Sequence, residues 1–448
     1  MPLSAGPFAE IPVSDDHKAP FYALRFDKDG RSQGPQTRRH LLDSLPGDHT
    51  DVYVFCHGWN NDWGTALGRY QDFFSAFRKL VTVNQLDLGR PYRPLLVGIF
   101  WPSTALVMPG EQGPQFAGDE GVDPNEVDLP VIDELADVVP EEDRDRYYDL
   151  MDRPALDEAE STELLGLLSS VFAGGDEEVP ADGPRDVGDV KAAWAMYQAA
   201  TEPPTDVGSA TEFGTAGTRS STPGQPRAAG LLDVLDPRNL VRLLTVYQMK
   251  DRAGVIGTRA VGPLLRDLLD RTDDPTRFHL VGHSYGARVH LNAVSRPDGG
   301  PLPRPVDSLL LLQPAVNHLC FAAQLESGGP GGYRAALPMV RQPILTTFSH
   351  HDFPLHDTFH LSLRRGKDVG EIGIAGDEPP SKYAALGGYG PRGLTEWEEV
   401  AIKTFPDRYE LGPGAPEIWA LKGGDLIKGH GDVVSPATAW ALYNLVKG

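Results

Sequence analysis

Three residues of this 448-residue chain, Ser284, Asp352 and His430, are of the types needed for nucleophilic acyl chemistry and stand in an order that suits it. A serine hydroxyl is a weak nucleophile until a base takes its proton, and the base works only when a third group orients it. Ser284 lies in Phe278–Val289, FHLVGHSYGARV, where an apolar run leads into Gly282-His283-Ser284-Tyr285-Gly286. Glycines two residues to either side of a serine suit a sharp strand-to-helix turn, because they remove the Cβ atoms that would collide as the chain doubles back. At such a turn the serine is pushed to a strained, positive φ and its hydroxyl projects above the sheet edge. The flanks fit this reading: Phe278, Leu280 and Val281 predict a buried strand, and Ala287 to Val294 continue without Pro or Gly as a helix.

The elements that must position these residues are legible as strands alternating with helices, which predicts βαβ units, a parallel sheet and an α/β fold class. Phe21 to Phe26 alternates like an edge strand; Asp51 to Cys56 is a stronger strand and delivers His57-Gly58-Trp59-Asn60-Asn61-Asp62. From Ala66 to Val81, Leu67, Tyr70, Phe73, Phe74, Phe77 and Leu80 recur at three- and four-residue steps, the stripe of an amphipathic helix. Further strands are predicted at Leu95 to Trp101, Val306 to Leu312, Pro343 to Phe348 and Glu417 to Lys422, with a last helix started by Ser435 as N-cap and Pro436 as first residue. Ser284, Asp352 and His430 each follow the C-terminal end of a predicted strand, and in a parallel sheet those ends share one edge.

Asp357 and Asp307 compete with Asp352 for the acid position, whereas Asp432 reads as a loop or helix-start carboxylate. The backbone N–H groups of Trp59 and Tyr285 are the candidate donors to an oxyanion. His57, Asn60, Trp63, Trp101 and His283 are candidates for the pocket wall, with His283 in a positioning role. His350, His351, Asp352, His356, Asp357 and His360 are metal-ligand types, but Pro354 interrupts them and no recognised ligand spacing results, so no metal site is expected.

The net charge of −22 belongs to one segment: between Glu111 and Glu212 there are 28 acidic residues against 5 basic ones. The remainder is nearly neutral and has no basic patch to neutralise phosphates, which argues against a nucleic-acid partner. The segment interrupts the βα alternation, so the chain divides into a core part at 1–103, an acidic insertion at 104–236 and a second core part at 237–448. The insertion carries predicted helices around Ala155 to Phe172 and Val190 to Ala200 and ends in linker composition at Ser209 to Gly230. It reads as a cap or lid over the sheet edge, with its acidity either a solvated surface or a field selecting a cationic substrate. Cys56 and Cys320 are the only cysteines and read as buried thiols. No apolar run approaches the length of a membrane span, and the N-terminus lacks the basic start and apolar stretch of a signal peptide, so a cytoplasmic location is the default expectation.

With the order Ser284, Asp352, His430 and a His-Gly-x turn after an early strand, the chain resembles the α/β-hydrolase superfamily over about Asp51 to Ser103 and Asn239 to the C-terminus. The resemblance implies a central eight-stranded, mostly parallel sheet with the insertion as lid, and a serine hydrolase that needs no cofactor. Ser284 would attack the acyl carbon of a carboxylic ester, His430 shuttle the proton, Asp352 orient His430, and the Trp59 and Tyr285 amides hold the oxyanion. His57-Gly58-Trp59 is not the His-Gly-Gly-Gly of part of the superfamily and looks like the group whose oxyanion residue directly follows that glycine. A serine at the elbow disfavours the aspartate-nucleophile members, dehalogenases and epoxide hydrolases. An amide, peptide or thioester substrate, or acyl transfer to an acceptor other than water, would use the same machinery. From another class, the alternative is a binding protein with a silent hydrolase fold that docks through its acidic insertion.

Overall fold

A computed structural model of the chain describes residues 5–13, 17–45, 47–103, 124–173, 178, 185–201, 237–272, 275–359, 363, 379 and 381–448. Among them, nine strands pair into one sheet: β1 (Ala9–Pro12), β2 (Lys18–Arg25), β3 (Asp51–Cys56), β4 (Pro94–Phe100), β5 (Arg277–His283), β6 (Ser308–Leu312), β7 (Ile344–Phe348), β8 (Trp397–Ala401) and β9 (Ile418–Lys422). Their spatial order is β1-β2-β4-β3-β5-β6-β7-β9-β8, and every pair is parallel except β1 with β2. The eight-stranded sheet implied by resemblance is therefore nine-stranded, and β2 is not the edge: β1, from the N-terminal stretch, covers it. Both unexpected strands are edge strands, and β8 has only half-buried and exposed positions, without an apolar run to mark it.

Every residue of β3, β4, β6 and β7 is buried, as expected where helices cover both faces of a parallel sheet. The period of two sorts β3 between two cores. Val52, Val54 and Cys56 join the cluster under the helices α1 (Pro35–Ser44), α8 (Pro237–Val255), α9 (Gly262–Asp270) and α10 (Tyr285–Ser295), while Tyr53 and Phe55 join that under α2 (Trp63–Val83) and the C-terminal helix Pro436–Lys447. The predicted stripe of α2 is that second contact: Tyr70, Phe73, Phe74, Phe77 and Leu80 are buried. Truncating Phe73 to alanine would cost about 3–5 kcal/mol. The last helix starts as the sequence signals, with Ser435 and Thr438 closing a reciprocal cap and Pro436 in its first turn.

The acidic insertion contributes α3 (Pro124–Ala136), α4 (Arg144–Met151), α5 (Glu158–Leu167), α6 (Ser169–Phe172) and α7 (Val187–Thr201). The predicted helix at 155–172 is thus two, broken at Leu168, and starts only after the Asp157 capping box. Tyr147, Leu150, Leu164, Leu165 and Phe172 bury themselves in the same apolar cluster as Leu240 and Leu244 of α8. The linker-like stretch 209–230 lies outside the described residues. Between α8 and α9 a π-helical turn, Ile256–Val261, brings Gly257 against α10: a Cβ there would stand 2.4 Å from the Val289 carbonyl oxygen. Among the described residues no helix is long and apolar enough to cross a membrane.

The chain order reverses at β3, which has β4 on one side and β5 on the other. Such a switch point opens a crevice beyond the carboxyl ends of its two strands. The loops that leave β3 and β5 there begin at His57 and Ser284.

Candidate active site

Ser284 stands between β5 and α10 with φ +54° and ψ −123°, a conformation that costs a non-glycine residue about 1–3 kcal/mol. Its N–H is held by the Leu312 carbonyl at 3.0 Å. The flanking glycines make that turn possible. A Cβ on Gly282 would lie 2.7 Å from Ala287 Cα, and one on Gly286 would lie 2.1 Å from the Cys56 carbonyl oxygen. The first closeness lets strand fold back on helix; the second lets the turn nest against the end of β3.

The structure brings Ser284, His430 and Asp352 together. Ser284 Oγ is 2.9 Å from His430 Nε2, and His430 Nδ1 is 2.9 Å from Asp352 Oδ2. An ionised carboxylate only accepts, so Nδ1 carries the proton and donates to Asp352, which leaves the Nε2 lone pair to accept from the serine hydroxyl. Asp352 is fully buried, and the Leu355 N–H donates to its Oδ1 at 3.1 Å. Two of the other carboxylates lie elsewhere. Asp307 sits at the opposite end of the sheet, accepting from the Phe278 N–H at 2.7 Å, and Asp432 accepts from the Lys428 N–H within its own loop. The side chain of Asp357 lies outside the described residues.

Two further side chains support this trio, and one of them, Gln313, belongs to no sequence motif. Gln313, buried after β6 at φ +44°, donates through Nε2 to Asp352 Oδ2 at 3.1 Å and to the Gly429 carbonyl at 2.7 Å. It ties the acid to the loop that carries His430. His283, beside the nucleophile, has its Nε2 2.9 Å from the His430 carbonyl and its Nδ1 3.2 Å from Arg69 Nη1. A guanidinium cannot accept, so Nδ1 of His283 accepts and Nε2–H donates to the His430 backbone. Burial, with the neighbouring His430 and Arg69, pushes the His283 imidazole well below its usual range, consistent with this neutral tautomer. Arg69 projects from α2, where its helical position gave no sign of this contact.

The turn after β3 is equally constrained. His57 is buried, its Nδ1 2.9 Å from the Gly58 carbonyl and its Nε2 accepting from the Trp101 N–H at 3.3 Å. Burial lowers its pKa to about 4, so it is neutral at pH 7. Asn61 Nδ2 donates to the same Gly58 carbonyl at 3.1 Å. Because the Gly58–Trp59 peptide is planar and trans, fixing that oxygen fixes the Trp59 N–H in the opposite direction, away from His57 and Asn61. Tyr285 is the first residue of α10, so its N–H lies at the positive end of the helix dipole.

The other predicted pocket residues are spread along the same edge. Trp59 packs its ring 6.0 Å from that of Tyr285, Trp101 stacks on His57, and Trp63 stacks on Phe100. Asn60 takes φ +58° and donates its N–H to the Ser103 carbonyl. In the histidine-rich segment, His350 and His351 lie against each other and His356 stacks on Tyr389, while His360 lies outside the described residues. Both cysteines are buried, and burial pushes their thiols well above the usual range.

Comparison with protein-family models, with curated proteins and with solved structures finds no match to this chain.

Proposed function

We propose that this chain is a serine hydrolase of the α/β-hydrolase type that cleaves a carboxylic ester through an acyl-enzyme on Ser284. The observation that carries the proposal is the hydrogen-bonded chain from Ser284 Oγ through His430 to the buried carboxylate of Asp352. A hydroxyl on a strained turn, a base with one nitrogen directed at it, and a carboxylate that fixes the base's tautomer are the parts acyl transfer requires.

In this scheme His430 Nε2 takes the proton as Ser284 Oγ bonds to the acyl carbon. The carbonyl oxygen becomes an oxyanion, held by the N–H groups of Trp59 and Tyr285, whose directions are set before substrate arrives. As the intermediate collapses, His430 returns the proton to the leaving alkoxide oxygen and the ester C–O bond breaks. Water then attacks the acyl-enzyme, again giving its proton to His430, and Ser284 Oγ departs with that proton. No step calls for a cofactor. The insertion at 104–236 serves as the lid in this reading, supported by the packing of its described helices on α8, the neighbour of α10.

The test is labelling by a fluorophosphonate, which reacts with a serine only when it is activated. Wild-type protein labels and turns over short esters, and Ser284→Ala does neither. A folded wild-type protein that takes no label would sink the proposal.

A further inference from the structure

A cavity of about 900 Å³ opens along the same sheet edge, and its lining includes neither Ser284 nor His430. It lies beyond the ends of β2, β4 and β3, walled by Phe26, Trp101, His57 and Asn61. Adjacent strands are about 4.8 Å apart, so the end of β2 stands roughly 14 Å from the end of β5 that carries Ser284. The volume is that of a small-molecule site.

Its charged groups are unequally occupied. Each carboxylate already has donors: Asp62 caps α2 through the Thr65 N–H, Asp27 accepts from the Asp29 and Arg31 N–H groups, and Glu134 pairs with Arg252. Lys28 pairs with Asp137. Arg25 is different: its guanidinium lies over the Trp63 ring, 5.8 Å from the centroid, and pairs with no carboxylate among the described residues. A guanidinium resting on an aromatic ring keeps its in-plane N–H groups for a bidentate anion. Gln33 reaches the same cavity, and Phe8, 40% exposed, sets its ring against the edge of Trp63.

We propose that this cavity binds an anionic group, a carboxylate above all, carried on an apolar body. Arg25 holds the anion, Gln33 adds a donor, and Phe8, Phe26 and Trp101 contact the body. The anion is either the far end of the ester that Ser284 cleaves or a separate carboxylic acid that binds without being cleaved; only the first of these rests on the hydrolase reading. In both cases His57 and Asn61, which hold the Gly58 carbonyl, connect the cavity to the oxyanion turn.

Calorimetric titration of the 448-residue chain with 2-naphthoate and with 2-naphthamide, equal in shape and different in charge, tests the site without reference to catalysis. Naphthoate is expected to bind at least about tenfold more tightly than the amide, as one charge-assisted pair implies. Arg25→Gln should remove that difference while leaving the amide's affinity and the melting temperature unchanged, and Arg25→Lys should keep part of it. Equal affinities in the wild type, no naphthoate binding at millimolar concentration, or an unaffected Arg25→Gln each overturn the proposal. Esters matched in length, ending in a carboxylate or in its methyl ester, separate the two sources. A kcat/KM preference for the carboxylate that Arg25→Gln abolishes assigns the anion to the substrate; naphthoate binding without that preference assigns it to a separate ligand. If no ester is hydrolysed at all, the hydrolase reading fails and the binding result stands by itself.

Discussion

A methyl group placed on Gly58 would stand 2.5 Å from the Cβ of Ser284 and 3.0 Å from the His283 carbonyl oxygen. The turn after β3 and the turn after β5 therefore touch without space for a side chain, and neither can move without the other. Gly58→Ala should leave a folded protein whose kcat falls by about a hundredfold, the scale of a 1 Å misplacement of reacting groups. Steady-state kinetics beside a melting curve checks this, and a kcat within threefold of wild type would show that the contact relaxes at no cost.

The choice of acid can be tested by two matched substitutions. Asp352→Asn should lower kcat by about four orders of magnitude, because an amide no longer enforces the Nδ1–H tautomer of His430. Asp307→Asn, at the opposite end of the sheet, should leave kcat essentially unchanged. The reverse pattern would remove Asp352 from the mechanism.

His283 acts through His430, as a positioning residue, so its effect belongs in kcat and not in KM. His283→Leu removes the donor to the His430 carbonyl and leaves the Arg69 guanidinium without its acceptor. A loss in kcat of about tenfold at unchanged KM is expected from the removal of one such bond. His283→Gln, whose amide nitrogen can replace Nε2–H, should recover most of it. An equal loss in both variants would mean the ring's packing matters and the hydrogen bond does not.

Stability should fall on acidification well before carboxylates titrate. Burial lowers the imidazoles of His57 and His290 to about 4 and of His318 to about 3, and holds His283 well below its usual range. Once unfolded, each returns to about 6.5 and takes up a proton that the native state refuses. The stabilisation is complete above pH 6.5 and is lost as pH falls toward 4, with a slope of about 1.4 kcal/mol per pH unit for each proton taken up. Asp51 adds nothing in that window. Burial pushes its carboxyl up, but hydrogen bonds from Arg90 and His279 outweigh this and hold it well below the usual range, so its contribution is lost only at lower pH. Urea midpoints at pH 7.5, 6 and 5 measure the slope; a flat profile would contradict the neutral, buried state of these histidines.

What could be read from the chain alone is what short-range physics writes into it. The elbow at Ser284 is legible because its two glycines lie two residues away and each removes a local clash. The burial of α2 follows from its three- and four-residue stripe, and the start of the last helix from Ser435 and Pro436. The interior strands are long apolar runs because both their faces are covered.

The rest depended on which strand ends lie side by side, and no local pattern records that. The parallel pairing of β5, β6, β7 and β9 separates Asp352, at the carboxyl edge, from Asp307, at the opposite end. Gln313 and Arg69 carry no motif; they matter because tertiary packing aims them at Asp352 and His283. The edge strands β1 and β8 carry no such pattern for the converse reason, since an edge buries too little to need an apolar run. Local patterns therefore suffice for the interior α/β elements and the strained serine turn. Which acid, which supporting amide and which histidine tautomers surround that serine depends on the folded chain, because those are set by contacts between residues tens to hundreds of positions apart.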